Sequence, residues 1–380
     1  MKNLFKVLFL SFVAAMSFAA CSDNDNCSDC NGGDTDKTPL DVYILNEGNM
    51  SSEMGSLHHI DAQGQLHENV YATANDGKTL GNVAQDLFIH DGKIYVISQN
   101  GDADGNHINV MDATNFKTVA DYKLGSDIDW PSHIAVLDEE HIYVRDKTGI
   151  WCFNAKTNEA VFVEGSDGAM KQPMTVIGNK VFAAHNGNNG LMVIAKGATK
   201  AEFPTTLSQI SGLRKAWDGN LWVSTQELFG SGKSALYKVN NSDYSIMAEH
   251  EIKEVNLEGG AQGGASSTFY AYKDMIYFCL SGSGFKNGQK IWRHNFATNE
   301  TISLDFSKFI EKGNIVYNGF AAHPVTGELL LGSLKNYGPD YLINSLLLLE
   351  DKGTELELKK QLGDNPLRFQ AGTFFRAQFE

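Results

Sequence analysis

Residues 111–118 read MDATNFKT, residues 153–159 read FNAKTNE, and residues 294–300 read HNFATNE. Each segment leaves an apolar run on Asp or Asn and continues through small polar residues. Side chains of Asp and Asn bond their own backbone and tolerate tight turns, so the motif reads as a turn between two strands. Looser versions follow at Asp61-Ala62-Gln63-Gly64, Ala195-Lys196-Gly197-Ala198, Asn240-Asn241-Ser242-Asp243 and Glu350-Asp351-Lys352-Gly353, making seven. The apolar runs ahead of them are 56–60, 108–111, 149–153, 190–194, 235–239, 290–294 and 345–349.

A second kind of turn lies upstream of six of these. Asp91-Gly92 separates DLFIH from KIYVIS, and Asp138-Glu139-Glu140 separates HIAVL from HIYVR. Gly178-Asn179, Asp218-Gly219, Lys273-Asp274 and Thr326-Gly327 divide similar pairs of runs. Apolar runs paired around a few polar residues are hairpins. Each unit is therefore an inner hairpin, a loop and a second hairpin, about 40–55 residues in all. A four-stranded repeat of that period predicts a β-propeller blade. The strands are apolar on both faces, as in KIYVIS and MIYFCL, which suits sheets packed between neighbouring blades. A two-sheet sandwich would alternate more cleanly.

The fold class is thus all-β, a seven-bladed propeller over residues 39–380. One inner hairpin is missing from the count, and it marks where the chain ends meet. The run 41–45 begins directly as a second strand, and 369–375 has no later partner. The latter is predicted to become the innermost strand of the first blade, closing the ring and removing a free edge.

Connectivity also sorts the loops. Those between second and third strands share a face with those between blades, opposite the inner hairpin turns. The predicted binding face draws on 46–55, 98–107, 145–148, 185–190, 226–233, 281–289 and 333–340, with 127–133 and 208–214 among the inter-blade loops. Its loops are rich in Asn, Gly, Gln and Ser, with isolated aromatics. Amides donate and accept, glycine admits close approach, and aromatic rings supply flat apolar area. That mixture suits a large amphipathic ligand carrying amides or hydroxyls. Candidate contacts are Asn46, Asn100, Trp130, Arg145, His185, Arg214, Phe229, Phe285 and Tyr337.

Catalytic signatures are sparse. The chain has no G-x-S-x-G, no H-E-x-x-H and no phosphate-binding glycine loop. His133 falls on the binding face without a recognisable nucleophile, while His58, His59, His141 and His294 fall in or beside strands and read as structural. Asp102-Ala103-Asp104-Gly105-Asn106 has alternating oxygen ligands but not the glycine and distal glutamate of a calcium loop, so no metal is assigned. Cys152 and Cys279 lie in apolar runs and read as core residues. A formal charge of −15 argues against a nucleic-acid partner.

The first residues have a separate logic. Lys2 and Lys6 precede the apolar run 7–15, too short to span a bilayer comfortably, and small residues follow. Residues 1–20 therefore read as an export signal. Phe18-Ala19-Ala20-Cys21 resembles the lipobox of bacterial lipoproteins, which implies acylation of Cys21. Residues 21–38 are acidic and almost free of apolar side chains, as expected of a tether. The Cys27-x-x-Cys30 pair within it lacks the context of a redox or zinc motif. Acidic residues after a lipobox cysteine resemble a surface-export signal of Gram-negative lipoproteins, which places the anchored body on the outer membrane facing outwards.

With these parts in place the chain resembles a family of seven-bladed, YncE-like surface lipoproteins of Gram-negative gut-type bacteria. The resemblance is carried by VYILNEGN at 42–49, Gly55-Ser56-Leu57, GNVAQDL at 81–87 and DGKIYV at 91–96. It implies a protein that is not an enzyme, binds cobalamin or another corrinoid, and passes it to a TonB-dependent outer-membrane transporter. Cobalamin would be cargo, not cofactor, and the membrane would be touched only through the lipid. A propeller lyase or lactonase, and a glycan-binding surface protein, are the alternatives.

Overall fold

The computed structural model describes residues 40–379 apart from 51–52, 188, 259–268, 280, 283–285 and 288–289. The expected signal over 1–20, Cys21 and the tether over 21–38 lie outside the described residues. Seven antiparallel sheets succeed one another as the blades of a propeller. From inner to outer strand, blade 1 combines Gln370–Phe375, Val42–Asn46, Ser56–Ile60 and Leu66–His67. Blade 2 is Ala84–His90, Lys93–Ser98, Ile108–Asp112 and Thr118–Tyr122; blade 3 is His133–Asp138, His141–Arg145, Ile150–Asn154 and Glu159–Phe162. Blade 4 has Thr175–Ile177, Lys180–Ala184 and Leu191–Ala195; blade 5 has Ile210–Lys215, Leu221–Leu228, Ser231–Val239 and Ile246–Glu251. Blade 6 is Tyr270–Tyr272, Met275–Phe278, Lys290–Asn295 and Glu300–Asp305; blade 7 is Phe320–Ala322, Leu329–Leu334, Asn344–Asp351 and Leu356–Leu362.

The two recurring turns have distinct backbones. In the inner hairpin of blade 2, His90 pairs with Lys93 around Asp91 and Gly92, both with positive φ (47° and 67°). Two left-handed residues match the twist of the flanking strands, which is why Asp-Gly recurs there. In the outer hairpins, the side-chain oxygen of Asp112, Asn154, Asn240 or Asn295 accepts the N–H groups two and three residues later. Four residues on, Phe116, Asn158, Tyr244 and Asn299 take positive φ of 61°, 59°, 62° and 55°. One local geometry thus explains why the chain keeps returning to the same polar segment.

Several elements differ from the sequence reading. Among the described residues blade 4 forms three strands, and the Val193–Glu202 bridge marks its outer edge. Blade 1 ends its outer strand after two residues and enters the helix Val70–Ala74. In blade 5 the predicted loop 226–233 is largely strand: Leu228 pairs with Ser231 around Phe229 and Gly230, which take positive φ of 53° and 75°. Part of the predicted loop 281–289 forms a hairpin of Ser281–Gly282 and Lys286–Asn287. Cys152 and Cys279 are half-buried thiols rather than fully buried ones.

The ring closes as predicted. Val42 pairs with Phe375 and Asn46 with Gln370, and every residue of Gln370–Phe375 is buried. Beyond that strand the 3-10 turn Arg376–Gln378 brings Phe379 edge-on to Phe88, with centroids 4.9 Å apart. Gln378 and Phe379 join Asp86, Arg214, Tyr270 and Thr373 around a cavity of about 30 Å³ between the inner strands. Such a space holds a water or two. The carboxyl terminus therefore stoppers the axis on the inner-hairpin side.

Candidate functional site

The other end of the axis is polar and charged. Glu47 directly follows the second strand of blade 1, and its N–H bonds Phe369 O at 2.6 Å. Its carboxylate accepts the Tyr317 hydroxyl at 2.9 Å and the Gln85 amide at 3.3 Å. Burial pushes the Glu47 carboxyl up to about 7, against the pull of Tyr317, Lys171 and Gln85. Burial lowers Lys171, opposed by the charge of Glu47, and brings Arg145 down to about 10. Burial also raises the Tyr317 phenol, and Glu47 adds to the effect. Glu47, Lys171 and Arg145 come from blades 1, 4 and 3, and Lys171 feels the charges of both Glu47 and Arg145.

Beneath them His133 is fully buried, and its Nδ1 meets Asp86 at 3.0 Å. Burial lowers its pKa, so the ring is neutral at pH 7. A neutral ring donating Nδ1–H to Asp86 leaves Nε2 as a bare acceptor. Among the described residues, that Nε2, Gln85 Oε1 and both polar atoms of Gln172 are buried without a hydrogen-bond partner. Gln172 is 6% exposed and adjoins Lys171 at the head of the blade 4 inner strand. Buried polar atoms are rarely left unpaired, and each costs roughly 1–3 kcal/mol when it is.

An aromatic shelf lies beside Glu47. Phe369 stacks on Tyr341 at 4.7 Å and on Tyr337 at 6.2 Å, and meets Tyr317 edge-on at 5.5 Å. Tyr341 OH donates to Glu53, which also pairs with Arg368 at 2.8 Å. Flat rings next to hydrogen-bonding groups can hold an amphipathic ligand by face and edge together.

The residues singled out from sequence scatter over this face. Tyr337 joins the shelf. Arg145 reaches the mouth with three of its five N–H donors committed, two to Ala169 O and one to Ser132 Oγ. Trp130 is 57% exposed in an inter-blade turn with φ of 54°. Phe229, 98% exposed, tips the blade 5 hairpin, and exposed Asn100 donates to Asn82. Asn46 is 0% exposed and is used in closing the ring, accepting Arg368 N–H and donating to Ser56. His185 has both ring nitrogens engaged, one with Asp167 O and the other with Gly187 N–H. Arg214 is not in a mouth loop; it lies in the inner strand toward the stoppered end, 4.5 Å from the Tyr270 ring. Phe285 lies outside the described residues. Glu47, Gln85, Lys171, Gln172 and Tyr317 lie in loops that connectivity assigns to this face (46–55, 75–85, 166–172 and 314–319), but their residue types did not single them out, and Phe369 lies in the predicted closing run. Glu47 and Phe369 also flank the two strands that close the ring.

The model of a family described as a domain of unknown function, DUF5074, matches residues 41–376. The chain belongs to the DUF5074 family. No curated protein matches the DUF5074 chain. Among solved structures it is similar to a quinonprotein alcohol dehydrogenase-like protein from Bacteroides thetaiotaomicron VPI-5482, with 15% identity and a TM-score of 0.60 over 89% of this chain and 78% of that one. It is also similar to a protein described as a candidate 6-phosphogluconolactonase from Bacteroides fragilis NCTC 9343, with 11% identity and a TM-score of 0.56 over 91% and 99%. At these identities the likeness is one of fold. The DUF5074 chain is a seven-bladed propeller.

Proposed function

We propose that this DUF5074 protein is a binding module of the cell surface, anchored by lipid at Cys21, whose propeller mouth captures cobalamin or a related corrinoid for a TonB-dependent outer-membrane transporter. The observation that carries the reading is the mouth itself: half-buried Glu47, Lys171 and Tyr317 beside the shelf of Phe369, Tyr337 and Tyr341. Peripheral carboxamides of a corrinoid would hydrogen-bond Glu47 and Tyr317, and its apolar faces would meet the rings. Arg145 and Lys171, rather than Arg145 and Arg214, would face the nucleotide phosphate. Calorimetry with cyanocobalamin, and retention of radiolabelled cobalamin by the full chain, test this. Saturable heat at micromolar ligand is expected; neither heat nor retention at that concentration would remove the corrinoid. Loss of the membrane-bound fraction in Cys21→Ala tests the anchor.

One observation favours a second reading. Glu47, titrating near neutrality within the field of Lys171, has the properties of an acid–base pair at the axis. A lyase or lactonase would use such a pair. Under that reading Glu47→Gln abolishes turnover while leaving ligand affinity nearly intact; under the binding reading no turnover exists to lose.

A further inference from the structure

Apolar side chains that stand in water are unevenly placed on this ring. Of the fourteen large ones exposed among the described residues, seven lie in mouth loops, and five of the rest are scattered along outer strands. The mouth set rises from separate blades. Met50 belongs to blade 1, Trp130 to the turn entering blade 3, Leu228 and Phe229 to blade 5, and Leu342 and Ile343 to blade 7. Together they form a rim around the polar, charged floor.

The two aromatic tips are held out by their surroundings. Trp130 and Phe229 both take left-handed backbone conformations, which crowd the Cβ of a bulky residue. Before Trp130, the Asp129 N–H donates to the buried Asp146 carboxylate at 3.0 Å, and Asp129 O accepts the Lys147 N–H at 3.0 Å. Behind Phe229, Asn256 grips Glu227 twice: its Oδ1 accepts the N–H at 2.8 Å and its Nδ2 donates to the carbonyl at 2.9 Å. Strained residues persist only where neighbours fix them, and they cluster at points of contact.

Ion pairs stand at the feet of three tips. Lys147 meets Asp129 beside Trp130, Lys233 of the Phe229 hairpin meets Glu249, and Lys335 meets Asp340 in the loop of Leu342. All six side chains reach solvent, so water or another polar group separates these pairs at little cost. Paired opposite charges complement a zwitterionic headgroup, whose phosphate answers the lysine and whose ammonium answers the carboxylate. Rings beside polar groups suit the interfacial layer of a bilayer. A bilayer also receives separate tips one by one, whereas a folded partner seated on all of them would have to bury the charged floor between. The net charge of −15 disfavours an anionic surface.

We propose that the rim is a membrane-contact surface, with Met50, Trp130, Phe229, Leu342 and Ile343 entering the interfacial layer of a zwitterionic phospholipid bilayer. The ion pairs at their feet meet the headgroups. Contact through a few tips is reversible, so the mouth opens to the medium and settles on the bilayer in turn. The rim is distinct from the floor, and this surface stands whether or not the mouth takes a corrinoid.

Residues 38–380 form a compact unit that contains every strand of the closed ring, so the test uses them, free of the apolar run at 7–15. Phosphatidylcholine vesicles with brominated acyl chains quench tryptophans that enter them, and saturable quenching at millimolar lipid is expected. Trp130→Phe should still sediment with vesicles but lose most of the quenching. Trp217→Phe, which alters an exposed tryptophan in an inner hairpin turn on the opposite face, should leave it as it was. Phe229→Ser should raise the lipid concentration for half-maximal quenching roughly tenfold, the low end for burying one such ring. All three residues are exposed, and an unchanged Tm confirms that each variant is folded. No association at millimolar lipid would overturn the proposal, as would association only after phosphatidylglycerol is added. Quenching that survives Trp130→Phe, or a half-maximal concentration unmoved by Phe229→Ser, would also overturn it, since another surface would then be meeting the lipid.

Discussion

Glu47 offers the sharpest test of the axial geometry. Its carboxyl titrates at about 7 in the fold, against an ordinary value of 4.5, chiefly because burial penalises the anion. Between those values the folded chain holds a proton that the unfolded chain has lost. Stability must therefore fall as pH rises from 4.5 to 7 and level off above it. Linkage at 1.36 kcal/mol per pH unit sets the cost at roughly 3 kcal/mol at pH 8. Glu47→Gln keeps the shape and a neutral acceptor for Tyr317, so it should match the wild type near pH 4.5 and exceed it by roughly 2–3 kcal/mol at pH 8. Equilibrium urea unfolding followed by tryptophan fluorescence at both pH values reads the difference. An equal effect at the two pH values, or a variant less stable at pH 8, would mean that burial at the mouth does not penalise the Glu47 anion.

Truncating the chain after Leu367 removes the inner strand of blade 1, and cooperative thermal unfolding should be lost; a calorimetric transition like that of the full chain would refute the closure. Gly332→Ala should cost about 2–4 kcal/mol in urea unfolding, since the new Cβ would lie 2.1 Å from Gln370 Oε1 in the closing strand. Asp351→Ala should cost roughly 3–5 kcal/mol by the same measurement, because Asp351 is the carboxylate partner of largely buried Arg293, at 2.5 Å, and also accepts the Tyr277 hydroxyl. Phe229→Ser, at a fully exposed hairpin tip, should leave Tm within about a degree.

Repetition made the fold legible. Turn chemistry is local, so Asp91-Gly92 or Asn154 announces its geometry without knowledge of the rest. Ring closure was legible too, because an odd strand at each end admits one economical pairing. The helix Val70–Ala74 was not, since VYATA is too short to show helical periodicity and His58, distant in sequence, fixes its start. The blade 5 hairpin hid for a related reason: Phe229 is an unusual residue for a left-handed turn position, so the segment resembled a loop. The axial site was the least readable part. Glu47, Lys171 and Tyr317 are far apart along the chain, and only the assembled ring gives them a shared, water-poor setting. Isolated Asn and aromatic residues drew attention, while the glutamines at the heads of inner strands looked ordinary.

The pairing of Val42–Asn46 with Gln370–Phe375 joins the earliest-made strand of the propeller to its latest. On the ribosome, the former strand is finished long before its neighbour exists. Throughout synthesis it carries a naked row of amides and carbonyls, able to adopt any passing strand as a substitute. The interval is set by the length of the whole propeller, so a slower ribosome lengthens the hazard. A chaperone that shields this early segment would guard the one seam that the nascent chain cannot stitch for itself.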